Sequence, residues 1–297
     1  MSQEIPAIIN RKAGSAAEAA KALTTAGGFE IHEVEPADIR RTAMEIVARK
    51  PKRLLVCGGD GTLCTVAHVV ANTGIELAIA PGGTLNHLAK HLGLPEDLND
   101  AAHVARNGIV RTLDAGRIND RLFLNTSSVG AYEIFVRRRD RLERQWGYAM
   151  ASVIAGTQIL VRAPVTAVKV EVDGAQRIYR TPLVFVGVGE RELRIPSLGG
   201  RMDRGKRGLH LMIVRSRSGA RLASLALQAA AKGVDAVSRT PAMDSLVVTR
   251  CTIELRNDTA SIDGELIPVR PPLEYEFLPD ALTVVVGERR VAQRANL

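Results

Sequence analysis

Short apolar runs alternate with amphipathic stretches over the first third of the chain. The apolar runs have the length and side-chain composition of buried strands, and they cover residues 5–9, 29–35, 54–57 and 77–80. Apolar residues recur at helical spacing in the stretches that follow, which predicts helices over residues 16–25, 39–49, 63–72 and 95–106 and a shorter helix ending at Leu92. Alternating strands and helices with short connections predict an α/β domain, in which a parallel sheet carries helices on both faces.

The pattern changes from about residue 110 onwards, where strand-like runs follow one another. These runs cover residues 110–114, 122–125, 165–172, 178–188, 209–214, 246–248, 252–256 and 275–278. Asp173-Gly174 is a hairpin signal, whereas residues 134–159 and 220–236 have helical patterns. We therefore expect a mainly antiparallel β-sandwich domain with helical insertions over residues 119–278. The α/β domain is expected to comprise residues 1–118, with residues 279–297 returning to it.

Composition and charge narrow the class of protein. The chain has 297 residues, enough for two domains, and a formal net charge of +8, which favours an anionic partner such as a nucleotide or an acidic lipid surface. Aromatic residues make up only 3% of the chain, so nucleic-acid binding through base stacking is not favoured. No apolar run reaches the length of a membrane span, no secretion signal is evident, and the three cysteines contain no C-x-x-C pair. We expect a cytoplasmic protein.

Two glycine-rich segments follow the third and fourth predicted strands. The first, residues 58–62 (Gly-Gly-Asp-Gly-Thr), stands between a buried strand and a helix. Glycines let backbone N–H groups approach a phosphate without a Cβ atom in the way, and a helix N-terminus adds partial positive charge. The second, residues 81–84 (Pro-Gly-Gly-Thr), lies at the same carboxyl edge of the predicted sheet, where ligands of such sheets bind. The first segment is neither a Walker A loop nor a G-x-G-x-x-G fingerprint, and taken alone it is also compatible with an ordinary tight turn.

Several motifs, in order along the chain, resemble those of the diacylglycerol-kinase-like lipid kinases, a family whose catalytic domain shares its architecture with the NAD kinases. Residues 58–62 resemble the family's signature, and residues 81–86 (Pro-Gly-Gly-Thr-Leu-Asn) resemble its second glycine loop. The other motifs are the opening strand and loop at 8–14, His-Leu-Gly-Leu-Pro at 91–95, Asp-Ala-Gly at 114–116, Leu-Asn-Thr-Ser-Ser-Val-Gly at 124–130, Ile-Asp-Gly-Glu at 262–265 and Leu-Pro-Asp-Ala-Leu at 278–282. The resemblance covers nearly the whole chain and implies a NAD kinase/diacylglycerol kinase-like fold.

The resemblance also implies an ATP-dependent kinase that transfers a phosphoryl group to a lipid hydroxyl, mainly by positioning and charge neutralisation. It implies a catalytic role for Asp60 beside the phosphates. Asp263 or Glu265 would accept the hydroxyl proton, while the other carboxylate orients a Mg²⁺-bound water. The metal ligands themselves are not assigned, and Asp263-Gly264 is also compatible with a plain hairpin turn. The residues expected to bind ATP are Asn10, Gly58, Gly59, Asp60, Gly61, Thr62, Gly83, Thr84 and Asn86.

Some positions depart from the pattern of the family. Thr65 stands where many relatives carry Glu, and His87 stands where Asp is usual. Arg207 stands where relatives place a Mg²⁺-linked Asp, so that this carboxylate is absent unless Asp203 substitutes for it. These departures keep two alternatives open: a NAD kinase-like enzyme, and a catalytically weak nucleotide- or lipid-binding regulatory protein. His87 and His91 have the i, i+4 spacing of a zinc site, but no Glu adjoins His87, so a zinc site is not favoured.

A basic stretch at residues 136–144 interleaves Arg with acidic residues. Such a stretch is typically a solvated helix face, and its functional interpretation is contact with anionic lipid headgroups, for which Trp146 and Tyr148 nearby are suited. We therefore expect a lipid kinase that uses ATP and Mg²⁺, acts on a lipid with a free hydroxyl, and makes peripheral contact with the inner membrane face. A dimer is among the assemblies compatible with the sequence.

Overall fold

The structure, a computed structural model, describes residues 4–83, 86–130, 165–191, 205–214, 243–256 and 258–288. The helices expected at 134–159 and 220–236, and the basic stretch at 136–144, lie outside these residues. Contacts divide the chain into a first unit, Met1–Ala115 with Pro279–Leu297, and a second unit, Gly116–Leu278. None of the described helices is long and apolar enough to cross a membrane.

The secondary structure follows the alternation of the sequence in the first unit and becomes strand-rich in the second. The described helices are α1 (Ala16–Ala26), α2 (Ile39–Ala48), α3 (Asp60–Val70), α4 (His87–Leu92) and α5 (Leu98–Asn107). The described strands are β1 (Ile5–Asn10), β2 (Phe29–Val34), β3 (Arg53–Gly58), β4 (Glu76–Pro81), β5 (Ile109–Ile118), β6 (Arg121–Phe123), β7 (Thr126–Gly130), β8 (Thr166–Val172), β9 (Ala175–Thr181), β10 (Leu183–Val188), β11 (Leu209–Val214), β12 (Met243–Val248), β13 (Arg250–Glu254), β14 (Thr259–Ile262), β15 (Glu265–Pro268) and β16 (Leu273–Val286).

The first unit is built on a parallel sheet in the order β2-β1-β3-β4, and the end of β16 adds to β4 through Thr283 and Val284. Residues 54–57 of β3 are all buried, as are residues 77–80 of β4, because helices cover both faces of the sheet. On one face, α1 and α5 contribute mainly Ala side chains to the core, which lets them pack close to the strands. The predicted α/β architecture is therefore confirmed.

The second unit contains antiparallel strands in two groups. One sheet has the order β12-β11-β10-β7-β14-β15, and in the other group β13 lies between β8 and the first half of β16. Apolar side chains from both groups form one core, to which Val186 and Leu211 come from the first and Val170, Ile253 and Leu273 from the second. This packing confirms the expected antiparallel β-sandwich.

Two strands predicted as continuous are interrupted. The run 178–188 breaks at Pro182, which has no N–H to donate, and the hydroxyl of Thr181 caps the corner by accepting from the Leu183 N–H at 3.0 Å. As a result, β9 and β10 join different sheets. The run 122–125 also ends early, at Phe123, because the N–H groups of Leu124 and Asn125 donate to the Asp263 carboxylate.

The start of α5 also differs from the prediction. The helix begins at Leu98 rather than at Pro95, because the Asp97 side chain accepts hydrogen bonds from the N–H groups of Asn99 and Asp100. Asp97 is thus the N-cap, the position at which this residue type stabilises a helix most. The hairpin predicted at Asp173-Gly174 is confirmed, since both residues have positive φ and join β8 to β9.

Candidate functional site

Polar and glycine residues of the first unit meet where β1, β3 and β4 end. These strands are neighbours and parallel, so their carboxyl ends lie at one edge of the sheet. Asn10, the last residue of β1, donates from Nδ2 to Thr62 Oγ1 at 2.8 Å and accepts from the Lys12 N–H at Oδ1. The Asn10 side chain is therefore held in one orientation beside the first turn of α3.

The helix after the first glycine loop starts earlier than predicted. Gly59 is the N-cap, with φ −80° and ψ −179°, and α3 begins at Asp60 rather than at Leu63. Asp60, Gly61 and Thr62 therefore form the first helical turn, whose N–H groups have no partner inside a helix. The earlier start of α3 favours phosphate binding at residues 58–62, because a helix N-terminus directs N–H groups and a partial positive charge towards an anion.

The two glycine loops touch each other. A Cβ atom on Gly83 would lie 2.5 Å from the Cα atom of Gly59, and one on Gly82 would lie 2.9 Å from the backbone nitrogen of Gly58. A Cβ atom on Gly59, in contrast, would meet Gly83 Cα at 3.4 Å, which is close to an ordinary contact. Packing therefore demands glycine at 82 and 83, whereas the glycine at 59 leaves open backbone that a ligand can approach.

Asn86 braces the second loop, and Asp60 links the start of α3 to α4, the helix that follows the second loop. Asn86, with φ +49°, accepts the Gly83 N–H at 2.9 Å and donates to the Gly83 carbonyl at 2.6 Å. Asp60 Oδ1 accepts a long hydrogen bond of 3.4 Å from the Leu88 N–H in α4. The Asp60 carboxylate thus faces the start of α4, the helix that follows the second loop. Thr84 and the side chain of His87 lie outside the described residues.

Asp60 also offers the chemistry of a magnesium ligand. A carboxylate is a hard oxygen donor, and Mg²⁺ is commonly held by one or two carboxylates together with substrate phosphates. In the described part of the chain, no group of three or more His, Cys, Asp or Glu side chains is placed to hold a metal ion by itself. The donor set at the loops therefore fits an ion shared with a phosphate.

In the second unit, the Asp263-Gly264 turn joins β14 to β15. Both residues have positive φ, +47° and +92°, and Ile262 pairs directly with Glu265, so the turn is a two-residue hairpin. Asp263 Oδ1 accepts the N–H groups of Asn125 and Thr126, each at 2.8 Å, and Oδ2 accepts the Leu124 N–H at 2.8 Å. Because these amides bind a carboxylate, they are lost to strand pairing, which explains the gap between β6 and β7.

The carboxylates predicted for catalysis therefore have different environments. Asp263 is anchored by backbone amides and is partly buried, whereas Glu265 is exposed at the start of β15. The structure gathers Asn10, the first glycine loop, Gly83 and Asn86 in the first unit. Asp263 and Glu265 belong to the second.

Sequence reasoning missed a buried polar cluster beside the hairpin. Arg191 is only 3% exposed; its Nη1 donates to Asn125 Oδ1 at 2.7 Å, and its backbone N–H donates to His210 Nδ1 at 2.9 Å. Nε2 of His210 lies 2.7 Å from Ser245 Oγ. Burial lowers the pKa of His210; Glu190 opposes this shift and Arg191 adds to it. The only signal in the sequence was Asn125, which lies in the motif at 124–130.

Comparisons with known proteins agree with this architecture. A family model described as the diacylglycerol kinase catalytic domain matches residues 5–118. The chain is 31% identical to a diacylglycerol kinase of Bacillus subtilis (strain 168) over 141 residues, which are 46% of each chain. It is 32% identical to a diacylglycerol kinase of Staphylococcus carnosus (strain TM300) over 124 residues, 41% of this chain and 40% of that protein. Each alignment thus spans less than half of the relative.

Among solved structures, the crystal structure of a diacylglycerol kinase from Bacillus anthracis str. Sterne is similar over 97% of this chain and 98% of that chain. The TM-score is 0.69 and the sequence identity is 23%. At this identity the likeness concerns the fold, and it extends over both units.

Proposed function

We propose that this chain, whose residues 5–118 match the family model described as the diacylglycerol kinase catalytic domain, is an ATP-dependent lipid kinase. It phosphorylates a hydroxyl of diacylglycerol or a related lipid. The observation that carries this proposal is the contact between two glycine loops at the carboxyl ends of β3 and β4, with Asp60 beside them at the start of α3. Phosphoryl transfer depends mainly on positioning and charge neutralisation, and this arrangement supplies both.

The nucleotide phosphates bind at the first turn of α3. The N–H groups of this turn and the open backbone at Gly59 favour an anion there. The other residues of this site are Asn10, Gly58, Gly61, Thr62, Gly83, Thr84 and Asn86. Asp60 would repel the phosphates unless a cation lies between them, so it would hold Mg²⁺, which neutralises charge on the phosphates when bound.

The acceptor hydroxyl of the lipid requires a base, because an alcohol is a weak nucleophile at neutral pH. As the hydroxyl oxygen forms a bond to the γ-phosphorus of ATP, the bond from that phosphorus to the β–γ bridging oxygen breaks and ADP leaves. The hydroxyl proton passes to a carboxylate of the Asp263-Gly264-Glu265 turn. The three amide hydrogen bonds to Asp263 suit it to hold the turn in place, and the exposed carboxylate of Glu265 is suited to receive a proton. We assign the base to this pair of carboxylates. Glu265 is the one that can be replaced without disrupting the turn.

Two substitutions distinguish these roles. Glu265→Gln removes a proton acceptor and leaves the three amide hydrogen bonds to Asp263 in place, so loss of turnover with unchanged ATP affinity identifies Glu265 as the base. Asp263→Asn is less selective, because an amide NH₂ would face one of the backbone donors and disrupt the turn as well. Glu254→Gln is the control, since Glu254 is exposed on β13 and, among the residues that the structure describes, pairs with Lys169 at the surface.

The decisive assay combines labelled ATP, Mg²⁺ and a total lipid extract, with the phosphorylated products resolved by chromatography. A labelled lipid that disappears with Glu265→Gln and persists with Glu254→Gln supports the proposal. Phosphorylation of soluble NAD with no labelled lipid would show instead a NAD kinase. ATP binding without any phosphorylated product would indicate that the chain is a catalytically weak, nucleotide-binding regulatory protein.

A membrane-borne substrate also requires contact with a lipid surface. The net charge of +8 favours an anionic surface, and we extend the proposal to peripheral binding at the inner membrane face. Sedimentation with vesicles tests this extension: binding should rise with the fraction of anionic lipid and fall with salt. Equal binding to neutral vesicles would contradict it.

A further inference from the structure

Arg191 places a buried positive charge next to residues 124–126, whose amides anchor the Asp263-Gly264 hairpin. Nη1 donates to Asn125 Oδ1 at 2.7 Å, and Nη2 donates to the Asn125 carbonyl oxygen. The Arg191 side chain packs against β10: a Cβ atom on Gly187 would come within 2.4 Å of Arg191 Nε and 2.8 Å of its Cγ. The backbone at Gly187 is therefore shaped to admit this side chain.

A single peptide group joins Arg191 to Asp263. Its carbonyl, that of Asn125, accepts from Arg191, while its N–H, that of Thr126, donates to Asp263 Oδ1 at 2.8 Å. A positive charge thus lies at the oxygen end of the peptide dipole, and a carboxylate lies at the hydrogen end. Both charges polarise the peptide in the same direction, so each hydrogen bond strengthens the other.

The main chain of Arg191 is held as well. Its N–H donates to Nδ1 of His210, whose other ring nitrogen lies against Ser245 Oγ, so His210 accepts through Nδ1. The Asn125 carbonyl also accepts the Val188 N–H at 3.0 Å. The Arg191 main chain and the Asn125 carbonyl that its guanidinium contacts are therefore each held by a further hydrogen bond.

We propose that Arg191 is a positioning residue for the Asp263-Gly264-Glu265 turn, acting through the Asn125–Thr126 peptide. The charge of Arg191 orients the amides that anchor Asp263, and the anchored turn sets the direction of Glu265. The consequence for turnover rests on the proposed kinase function. The structural link does not, and it can be measured separately.

The structural link is tested by amide hydrogen exchange. Arg191→Lys keeps the positive charge but removes the two guanidinium donors, Nη1 and Nη2, that contact Asn125. Gly187→Ala keeps the arginine, but its Cβ atom pushes the Arg191 side chain away from β10. In each variant, the amides of Asn125 and Thr126 should exchange about tenfold faster than in the wild type, while the Val186 amide in β10 is unchanged. The control, Arg177→Gln, alters an exposed arginine of β9 and should change none of them. Unchanged exchange at Asn125 and Thr126 in both variants would overturn the proposal.

The catalytic consequence is tested by kinetics on lipid vesicles. Arg191→Lys should lower kcat about 10- to 100-fold. The KM for ATP should be unchanged, because the proposed nucleotide site consists of the glycine loops and the first turn of α3 and does not include Arg191. In a Glu265→Gln background, the same substitution should cost much less, since both changes act on one step. A fully additive loss, or a rise in the KM for ATP alone, would contradict a positioning role. If wild-type protein phosphorylates no lipid, the proposed function fails, and hydrogen exchange still decides the role of Arg191.

Discussion

Replacing Gly83 with Ala tests how closely the two glycine loops meet. The added Cβ atom would lie 2.5 Å from Gly59 Cα and 3.1 Å from Asn86 Oδ1. Carbon atoms in contact are separated by about 3.5–4.0 Å, so the loops would have to part by about 1 Å. Forcing an extra carbon into such a site typically costs about 1–3 kcal/mol in the free energy of unfolding.

The same displacement should weaken ATP binding. The shift moves Gly59 and the first turn of α3 away from the position in which their N–H groups meet a phosphate. We expect the Kd for ATP to rise at least about tenfold, which corresponds to about 1.4 kcal/mol. Isothermal titration calorimetry with ATP and Mg²⁺ measures the affinity, and denaturant unfolding measures the stability.

Gly59→Ala is the matched control for Gly83→Ala. Its Cβ atom would lie 3.4 Å from Gly83 Cα, and the Gly59 backbone has a conformation that alanine adopts freely. Stability should therefore change by less than about 1 kcal/mol. ATP affinity should still fall, and fall further with Gly59→Val, because a side chain then occupies the approach of the phosphate.

The Gly83 and Gly59 variants together separate the packing of the loops from ligand binding. If Gly83→Ala unfolds like the wild type and binds ATP equally well, the loops do not meet as the structure places them. If Gly83→Ala is destabilised but Gly59→Val binds ATP normally, the loops meet, and the phosphate lies elsewhere.

Three further predictions concern the second unit and the buried thiols. Tyr275→Phe removes the 3.1 Å hydrogen bond to the buried Ser127 hydroxyl and should lower the free energy of unfolding by about 1–2 kcal/mol in urea denaturation. Burial lowers the pKa of His210 in the folded state, so its contribution to stability is present above about pH 6.5 and is lost as the pH falls through the folded value. His210→Asn should therefore flatten the pH dependence of the free energy of unfolding between pH 5 and 7. A pH dependence identical to that of the wild type would contradict this prediction. Burial raises the pKa of Cys57 to about 11 and of Cys251 to about 12, so mass spectrometry should find both unalkylated by iodoacetamide at neutral pH until the protein unfolds.

Much of the first unit follows from short-range patterns. The parallel sheet was predicted because apolar runs of strand length alternate with helical periodicity, and both signals are properties of neighbouring residues. The glycine loops were likewise recognisable, because a motif that must turn and expose its backbone is contiguous in the chain. Their mutual contact was not predicted, since it depends on how β3 and β4 pair.

The second unit shows where local patterns stop. The run 122–125 looks like a strand, yet its amides bind Asp263, which is 139 residues away along the chain. The run 178–188 looks like one strand, and Pro182 turns it from one sheet into another. The first interruption depends on a distant carboxylate, which no window of neighbouring residues contains.

The sequence by itself determined the fold class, the order of the motifs and the chemical types gathered around the glycine loops. Only the tertiary structure decided what each polar group binds: the anchoring of Asp263, the burial of Arg191 and the tautomer of His210. The physical reason is that secondary structure follows from the periodic burial of apolar side chains, which neighbouring residues encode. A buried charge, in contrast, must find its hydrogen-bond partners wherever the folded chain brings them.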